Sequence, residues 1–169
     1  DGLGFFNDSA ETEDMAKLSS ADSKVMVIPA LTGLGAPYWD PDARGAIFGL
    51  TRDTGKEDIT RATLEAIAYQ SRDLLEAMNK DNATFQKLMI DGGMVVNNWF
   101  SQKLSNTLGI EVIRPKIIET TSLGAAFLAG LQAGIFEDFK SLENSKKIDR
   151  TFIPIEEESR YEEWKEAVS

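Results

Sequence analysis

The sequence contains no histidine and no cysteine, and these two absences exclude much of ordinary enzyme chemistry. Without cysteine the chain forms no disulfide, carries no thiolate nucleophile and binds no cysteine-ligated zinc. Without histidine it lacks the commonest general base and the commonest transition-metal ligand. Any chemistry of this chain must therefore use carboxylates, amines, guanidinium groups, backbone amides or a group supplied by another molecule.

Basic residues and long apolar runs are also few. Lys and Arg together number 18 against 28 Asp and Glu, which gives a formal net charge of -10. This balance disfavours nucleic acid or an anionic membrane as partner, because both bind basic surfaces. No apolar run approaches the roughly 20 residues that cross a bilayer, and no signal-peptide pattern is present. We therefore expect a cytoplasmic protein with no integral membrane segment.

The patterns that are present are typical of one α/β domain over residues 1–169. Residues 1–23 predict an irregular or helical lead-in with a short helix at 12–18. Strands are then predicted at 25–28, 46–50, 87–90 and 111–114. Helices are predicted at 59–78, from the glycine pair that follows the third strand to 108, at 123–133 and at 151–169. This order predicts a mixed sheet with flanking helices.

The helix at 59–78 has the clearest periodicity, and Asp58 is predicted to cap it. One face is expected to form a buried stripe made of Ile59, Thr63, Ile67, Leu74 and Met78, flanked by Leu64, Ala68 and Leu75. The helix at 123–133 is predicted to be capped by Thr121 or Ser122. Its small residues favour close packing over ligand contact.

A Gly-Gly turn in residues 87–98 is the most informative local feature. An apolar strand stops at Asp91, two glycines follow, and a helix is predicted to begin directly after them. Gly92 and Gly93 allow a ligand to approach the backbone where a Cβ would block it. A helix N-terminus offers free N–H groups and a positive dipole end, which suits a phosphate or a nucleotide. Asn97 is predicted one turn into this helix, where its amide can reach such a ligand.

These residues by themselves leave two interpretations open, because strand–Gly-Gly–helix turns also occur for packing alone. Two other nucleotide motifs are rejected. Residues 49–56 approach a P-loop, but the glycine spacing is one residue too long and Glu57 stands where Ser or Thr should hold magnesium. No Gly-x-Gly-x-x-Gly follows a strand, which excludes a Rossmann dinucleotide site.

The loop at residues 32–45, Thr-Gly-Leu-Gly-Ala-Pro-Tyr-Trp-Asp-Pro-Asp-Ala-Arg-Gly, closely resembles a loop of the glycerol-phosphorylating branch of the FGGY carbohydrate kinase family. Residues 45–50 and 58–70 resemble the C-terminal signature of that family. Residues 91–98 resemble its adenosine-binding turn, and residues 114–126 match the segment that follows. The resemblance covers about residues 25–136 in the family's order.

This resemblance implies an actin-like ATPase (ribonuclease H-like) fold. The chain would be the nucleotide-binding C-terminal domain, truncated at its N-terminal side and lacking its first strands. By the resemblance Gly93 contacts the nucleotide, Asn97 lies against its adenine end and Gly92 shapes the turn. The implied reaction transfers the γ-phosphoryl group of ATP to glycerol, with magnesium held mainly through ATP and residues outside this chain.

The resemblance assigns no catalytic residue to this chain, because the family's catalytic Asp precedes the segment matched here. Asp91 is interpreted as a strand-end acid that bonds the turn, not as a substitute base. We therefore expect a fragment without turnover of its own. The implied partners are ATP or ADP, the N-terminal domain that holds glycerol, and further copies in a homo-oligomer. Tyr38 and Trp39 are candidates for an oligomer or interdomain contact.

Two alternatives remain open from the sequence. One alternative is the C-terminal domain of another FGGY sugar kinase, such as a xylulokinase. The other is a free-standing actin-like module for binding or assembly.

Overall fold

The computed structural model describes residues 4–80, 84–138 and 147–168. Its helices are α1 (Thr12–Leu18), α2 (Lys56–Lys80), α3 (Asn98–Leu108), α4 (Thr120–Gln132) and α5 (Tyr161–Val168), with 3-10 turns at Ser9–Glu11 and Gly93–Val96. Its strands are β1 (Met26–Ile28), β2 (Ala46–Phe48), β3 (Lys87–Met89), β4 (Glu111–Pro115) and β5 (Ile148–Phe152). The predicted mixed α/β architecture and the helix at 12–18 are confirmed.

The strands form two small sheets. β1 and β2 pair antiparallel, with Val27 opposite Ile47. The second sheet has the order β3-β4-β5, so β3 lies at one edge. β3 and β4 are parallel and are connected through α3, whereas β4 and β5 are antiparallel. The result is a mixed sheet that carries the candidate turn at the carboxyl end of β3.

The sequence prediction missed β5 and made the C-terminal helix too long. Only Phe152 of β5 is buried, so the strand has no apolar alternation to reveal it. The helix predicted at 151–169 occupies Tyr161–Val168 alone. Two side chains of α3 hold the intervening backbone: Gln102 donates to the carbonyl of Ile153 at 2.8 Å, and Asn106 accepts from the N–H of Ile155 at 2.9 Å.

The buried stripe predicted for α2 is wrong in part. Leu74 and Met78 are exposed, and Ile59, Thr63 and Ile67 are only half-buried. Leu64 and Ala68, predicted to flank the stripe, are buried in one cluster, whereas Ala62, Ala66 and Tyr69 are buried in another that was not predicted. α2 is buried from both sides because β1 and α5 pack against one face and α1 and α3 against the other.

Two clusters make up the core, one on each side of α2. In the first, β1 and α2 pack against Tyr161 and Trp164 of α5. In the second, α2 and α3 pack against Val112 of β4 and Phe152 of β5. The C-terminal helix is therefore part of the core, and the second cluster supports the sheet that carries the candidate turn.

Tyr38 and Trp39 were both predicted to contact another molecule or domain, but their surroundings differ. The hydroxyl of Tyr38 donates to Asp73 of α2 at 2.6 Å, and Tyr161 donates to the other oxygen of the same carboxylate at 2.6 Å. Burial and the nearby Asp73 carboxylate raise the pKa of both tyrosines, so the hydroxyls remain donors. Only Trp39, which is 76% exposed, stays available for a contact with another molecule or domain.

Asp58 lies within the first turn of α2 and bonds back to the segment before it. Its carboxylate accepts from the N–H of Gly55 at 2.9 Å, the hydroxyl of Ser19 at 2.8 Å and the N–H of Ser20 at 3.0 Å. Burial raises the pKa of this carboxyl, but the bonds from Gly55, Ser19 and Ser20 outweigh it and hold the pKa below its usual value. The ionised carboxylate thus links the end of α1 to the start of α2.

This pKa shift predicts an acid-sensitive stability. Because the folded pKa lies below the unfolded one, the contribution of Asp58 is present above about pH 5 and is lost as the pH falls through about 4 and below. We expect Asp58→Asn to be less stable than the wild type at pH 7 and to lose less stability between pH 6 and pH 3. Urea unfolding across that range measures the difference, with Asp42→Asn at an exposed acid as control. An Asp58→Asn curve parallel to the wild type would contradict the assignment.

Candidate nucleotide-binding turn

The turn after β3 is held in place by backbone bonds to the neighbouring strand and loop. The N–H of Ile90 donates to the carbonyl of Ile113 at 3.0 Å, and the N–H of Gly92 donates to the carbonyl of Ile118 at 2.8 Å. The 3-10 turn Gly93–Val96 follows, and α3 begins only at Asn98. The prediction of a helix directly after the glycines is corrected, since a separate short turn lies between them and α3.

The backbone explains a glycine at position 92 but not at position 93. Gly92 has φ +87°, a conformation that an L side chain rarely adopts. Gly93 has no positive φ, and a Cβ built on it would meet no protein atom within 4 Å. The fold of the chain therefore requires glycine at 92 but gives no reason for it at 93. An open space beside Gly93, next to the first N–H groups of a helical turn, can accept a ligand at the backbone.

Asn97 is the N-cap of α3 and not a residue one turn inside it. Its Oδ1 accepts from the N–H of Phe100 at 2.8 Å, and its Nδ2 donates to the hydroxyl of Thr12 at 3.3 Å. The side chain is 7% exposed. The 3-10 turn shifts the start of α3, so Asn97 caps this helix and does not lie one turn inside it as predicted. Its contact with a nucleotide stays a prediction.

Helix α1 supports the turn from the other side, which the sequence did not reveal. Glu13 accepts from the backbone N–H of Asn98 at 2.7 Å and from its Nδ2 at 3.3 Å. Burial raises the pKa of Glu13, but the bonds from Lys17 and Asn98 together bring it below the usual value. A carboxylate in a short helix of an unpatterned segment carries no sequence signal of this role.

Asp91 bonds the turn to α4. Its carboxylate accepts a hydrogen bond from the hydroxyl of Thr120, the first residue of α4. This agrees with the interpretation of Asp91 as a structural acid. The predicted caps of α4 are wrong, because the helix begins at Thr120, ahead of both Thr121 and Ser122.

The small residues of α4 serve packing at one position. A Cβ on Gly130 would lie 2.5 Å from the ring of Phe136, so a larger residue there would force this ring to move. Gly124 faces open space, and Leu128 is 61% exposed on a mostly apolar helix. Much of this apolar helix therefore lies on the surface beside the turn.

The first glycine of the rejected P-loop candidate, Gly49, is explained by its conformation and its close contact with Lys24. Gly49 has φ +75°, and a Cβ there would overlap the carbonyl of Lys24.

Within residues 4–80, 84–138 and 147–168, no group of three or more carboxylates is placed to hold a metal ion. In the same part of the chain, no helix is long and apolar enough to cross a membrane.

Comparison with known proteins places this fold and turn in a known class. The C-terminal domain of the FGGY family of carbohydrate kinases matches residues 4–133, so the chain belongs to this family. Within it, the chain is 51% identical over 173 residues to a glycerol kinase of Alteromonas mediterranea and 51% identical over 172 residues to one of a Marinomonas species. These matches cover 100% and 99% of the chain, which spans 35% of the length of each relative.

Solved structures agree with this assignment. Plasmodium falciparum glycerol kinase, determined with ADP, is 32% identical with a TM-score of 0.83, covering 99% of this chain and 34% of that one. A xylulose kinase of Lactobacillus acidophilus, at 24% identity and a TM-score of 0.73, covers 96% of this chain and 34% of that one and shares the fold. The predicted family and the actin-like ATPase fold are confirmed.

Proposed function

We propose that this chain is the nucleotide-binding part of an ATP-dependent glycerol kinase, which converts ATP and glycerol to ADP and glycerol 3-phosphate. The observation that carries the proposal is the open backbone at Gly93, where the chain's own packing gives no reason for glycine. Identity of about half to glycerol kinases over the whole chain supports glycerol as the acceptor.

In this proposal the turn binds and orients the nucleotide. The backbone at Gly93 contacts ATP, Gly92 provides the conformation that exposes it, and Asn97 fixes the part of the turn nearest the adenine. The cap geometry of Asn97 supports an indirect contribution, because both ends of its amide already bond within the chain. Magnesium, held through ATP and residues outside this chain, would neutralise charge on the phosphates.

We further propose that the catalytic carboxylate and the glycerol site belong to other parts of a longer protein. The exposed apolar surface beside the turn supports a covering domain: Met89 on edge strand β3 is 54% exposed, and Leu128 lies on the surface of α4. Strands preceding this chain would extend the sheet at β3 and cover α4. A cytoplasmic homo-oligomer is the expected form of that longer protein.

An activity assay tests the proposal. The longer protein containing this chain is expected to phosphorylate glycerol with ATP and to prefer it over xylulose by at least about tenfold in kcat/KM. The 169-residue chain alone is expected to show no turnover and only weak ATP binding by calorimetry, because half of the pocket is absent. Preference for xylulose would favour the alternative sugar kinase. Tight ATP binding or turnover by the chain alone would contradict the assignment of the missing residues.

A further inference from the structure

The turn Gly93–Val96 is held by one arginine of β4, whose side chain is 11% exposed. Arg114 donates from Nη1 to the carbonyls of Val95 at 2.7 Å and Val96 at 3.2 Å. Its Nη2 donates to Oδ1 of Asn98 at 3.1 Å, and both Nε and Nη2 lie 2.8 Å from Asp149 of β5. One guanidinium thus joins the sheet, the turn and the start of α3.

The chemistry of this arrangement suits arginine in particular. The carbonyls at the end of a helical turn have no partner within the turn. The carbonyl of Val95 accepts from the hydroxyl of Ser101 at 3.0 Å as well as from Arg114, and the carbonyl of Val96 accepts from Arg114. A planar guanidinium presents five donors in a fixed fork, so it bonds several acceptors in one orientation. A lysine ammonium has three donors on a flexible stem and cannot hold these four acceptor groups together.

Asn98 carries the same support across to α1. Its Oδ1 accepts from Arg114 at 3.1 Å and more weakly from Arg150 of β5 at 3.3 Å, and its backbone N–H and Nδ2 donate to Glu13. The turn is therefore fixed from the sheet by Arg114 and from α1 by Glu13. These bonds hold the carbonyl end of the turn, while the backbone at its start, at Gly93, faces open space.

We infer that Arg114 is a positioning residue for nucleotide binding and acts through the turn without touching the ligand; this inference rests on the proposed function. A displacement of the turn by a fraction of an ångström would move the backbone that contacts ATP. Arg114 should thus affect the nucleotide and leave the glycerol site, which lies outside this chain, unaffected.

The test is Arg114→Lys in the longer protein. We expect the KM for ATP to rise at least about tenfold, while kcat and the KM for glycerol change by less than about threefold. Glu13→Gln, which weakens the support from α1, is expected to raise the KM for ATP by a smaller factor. It provides a second variant if Arg114→Lys folds poorly.

Arg160→Lys is the matched control. Arg160 also bonds three backbone carbonyls, those of Ser23, Lys24 and Val25, and pairs with Glu163, but it lies in the segment that anchors α5. The two Lys variants should lose similar thermal stability, and only Arg114→Lys should raise the KM for ATP.

Each outcome has a separate meaning. If the wild type phosphorylates glycerol and Arg114→Lys raises the KM for ATP no more than Arg160→Lys does, the inference is overturned and the proposed function stands. Equal increases in the KM values for ATP and glycerol would also overturn it, because they indicate general damage. A wild type without ATP-dependent glycerol phosphorylation overturns both.

Discussion

Gly93→Ala is expected to weaken nucleotide binding by about tenfold or more while leaving the fold at least as stable as the wild type. The open space at Gly93 means that a methyl group meets no protein atom, and the backbone there is compatible with alanine. Such a glycine-to-alanine change commonly stabilises a protein by about 0.4–1 kcal/mol through the unfolded state. In the proposed complex the same methyl group would occupy the space of the ligand.

The KM for ATP of the longer protein and the urea unfolding of the 169-residue chain measure the two effects. Gly109→Ala is the matched control, since Gly109 also faces open space but has φ +67° at the end of α3. It should lose about 1–2 kcal/mol of stability and leave the KM for ATP near the wild-type value. A Gly93→Ala protein with unchanged ATP kinetics would contradict the placement of the nucleotide at this turn.

The second large effect is expected at Trp164, where alanine should destabilise the chain by about 3–5 kcal/mol. Trp164 is fully buried, packs on Tyr69 at 5.7 Å between ring centroids, and donates from Nε1 to the carbonyl of Val27 at 2.8 Å. Its loss leaves a cavity beside α2 and removes a buried hydrogen bond to the carbonyl of Val27 in β1. Because Tyr161 lies on the same helix and bonds Asp73, the anchoring of α5 should weaken as a unit.

Urea unfolding followed by tryptophan fluorescence and by circular dichroism measures this loss. Trp39→Ala makes the same chemical change at a side chain that is 76% exposed, and it should change stability by no more than about 0.5 kcal/mol. Trp164→Phe keeps most of the ring and removes the bond to Val27, so an intermediate loss is expected. Similar stability of the Trp164→Ala and Trp39→Ala proteins would show that α5 is not part of the core.

Local signals in the sequence were sufficient for most elements and for the family. Residues 12–18 predicted α1 with its observed bounds, and Gly109 predicted the end of α3, where it adopts the left-handed conformation. The loop at 32–45 and the glycine pair were enough for membership of the FGGY family, which the match over residues 4–133 confirms. These features depend on neighbours along the chain, and such neighbours are visible in a sequence.

Features that depend on distant parts of the chain were decided only by the tertiary structure. The sequence by itself determined the family, the order of the elements from β1 to α4 and the presence of a turn at the glycine pair. Packing on both faces of α2 made its small residues the buried ones, and pairing with β4 created β5. The bond from Asn97 to Thr12 and the supports from Arg114 and Glu13 join residues as many as 85 positions apart. No local pattern encodes such bonds, because their partners meet only when the helices and the sheet have packed.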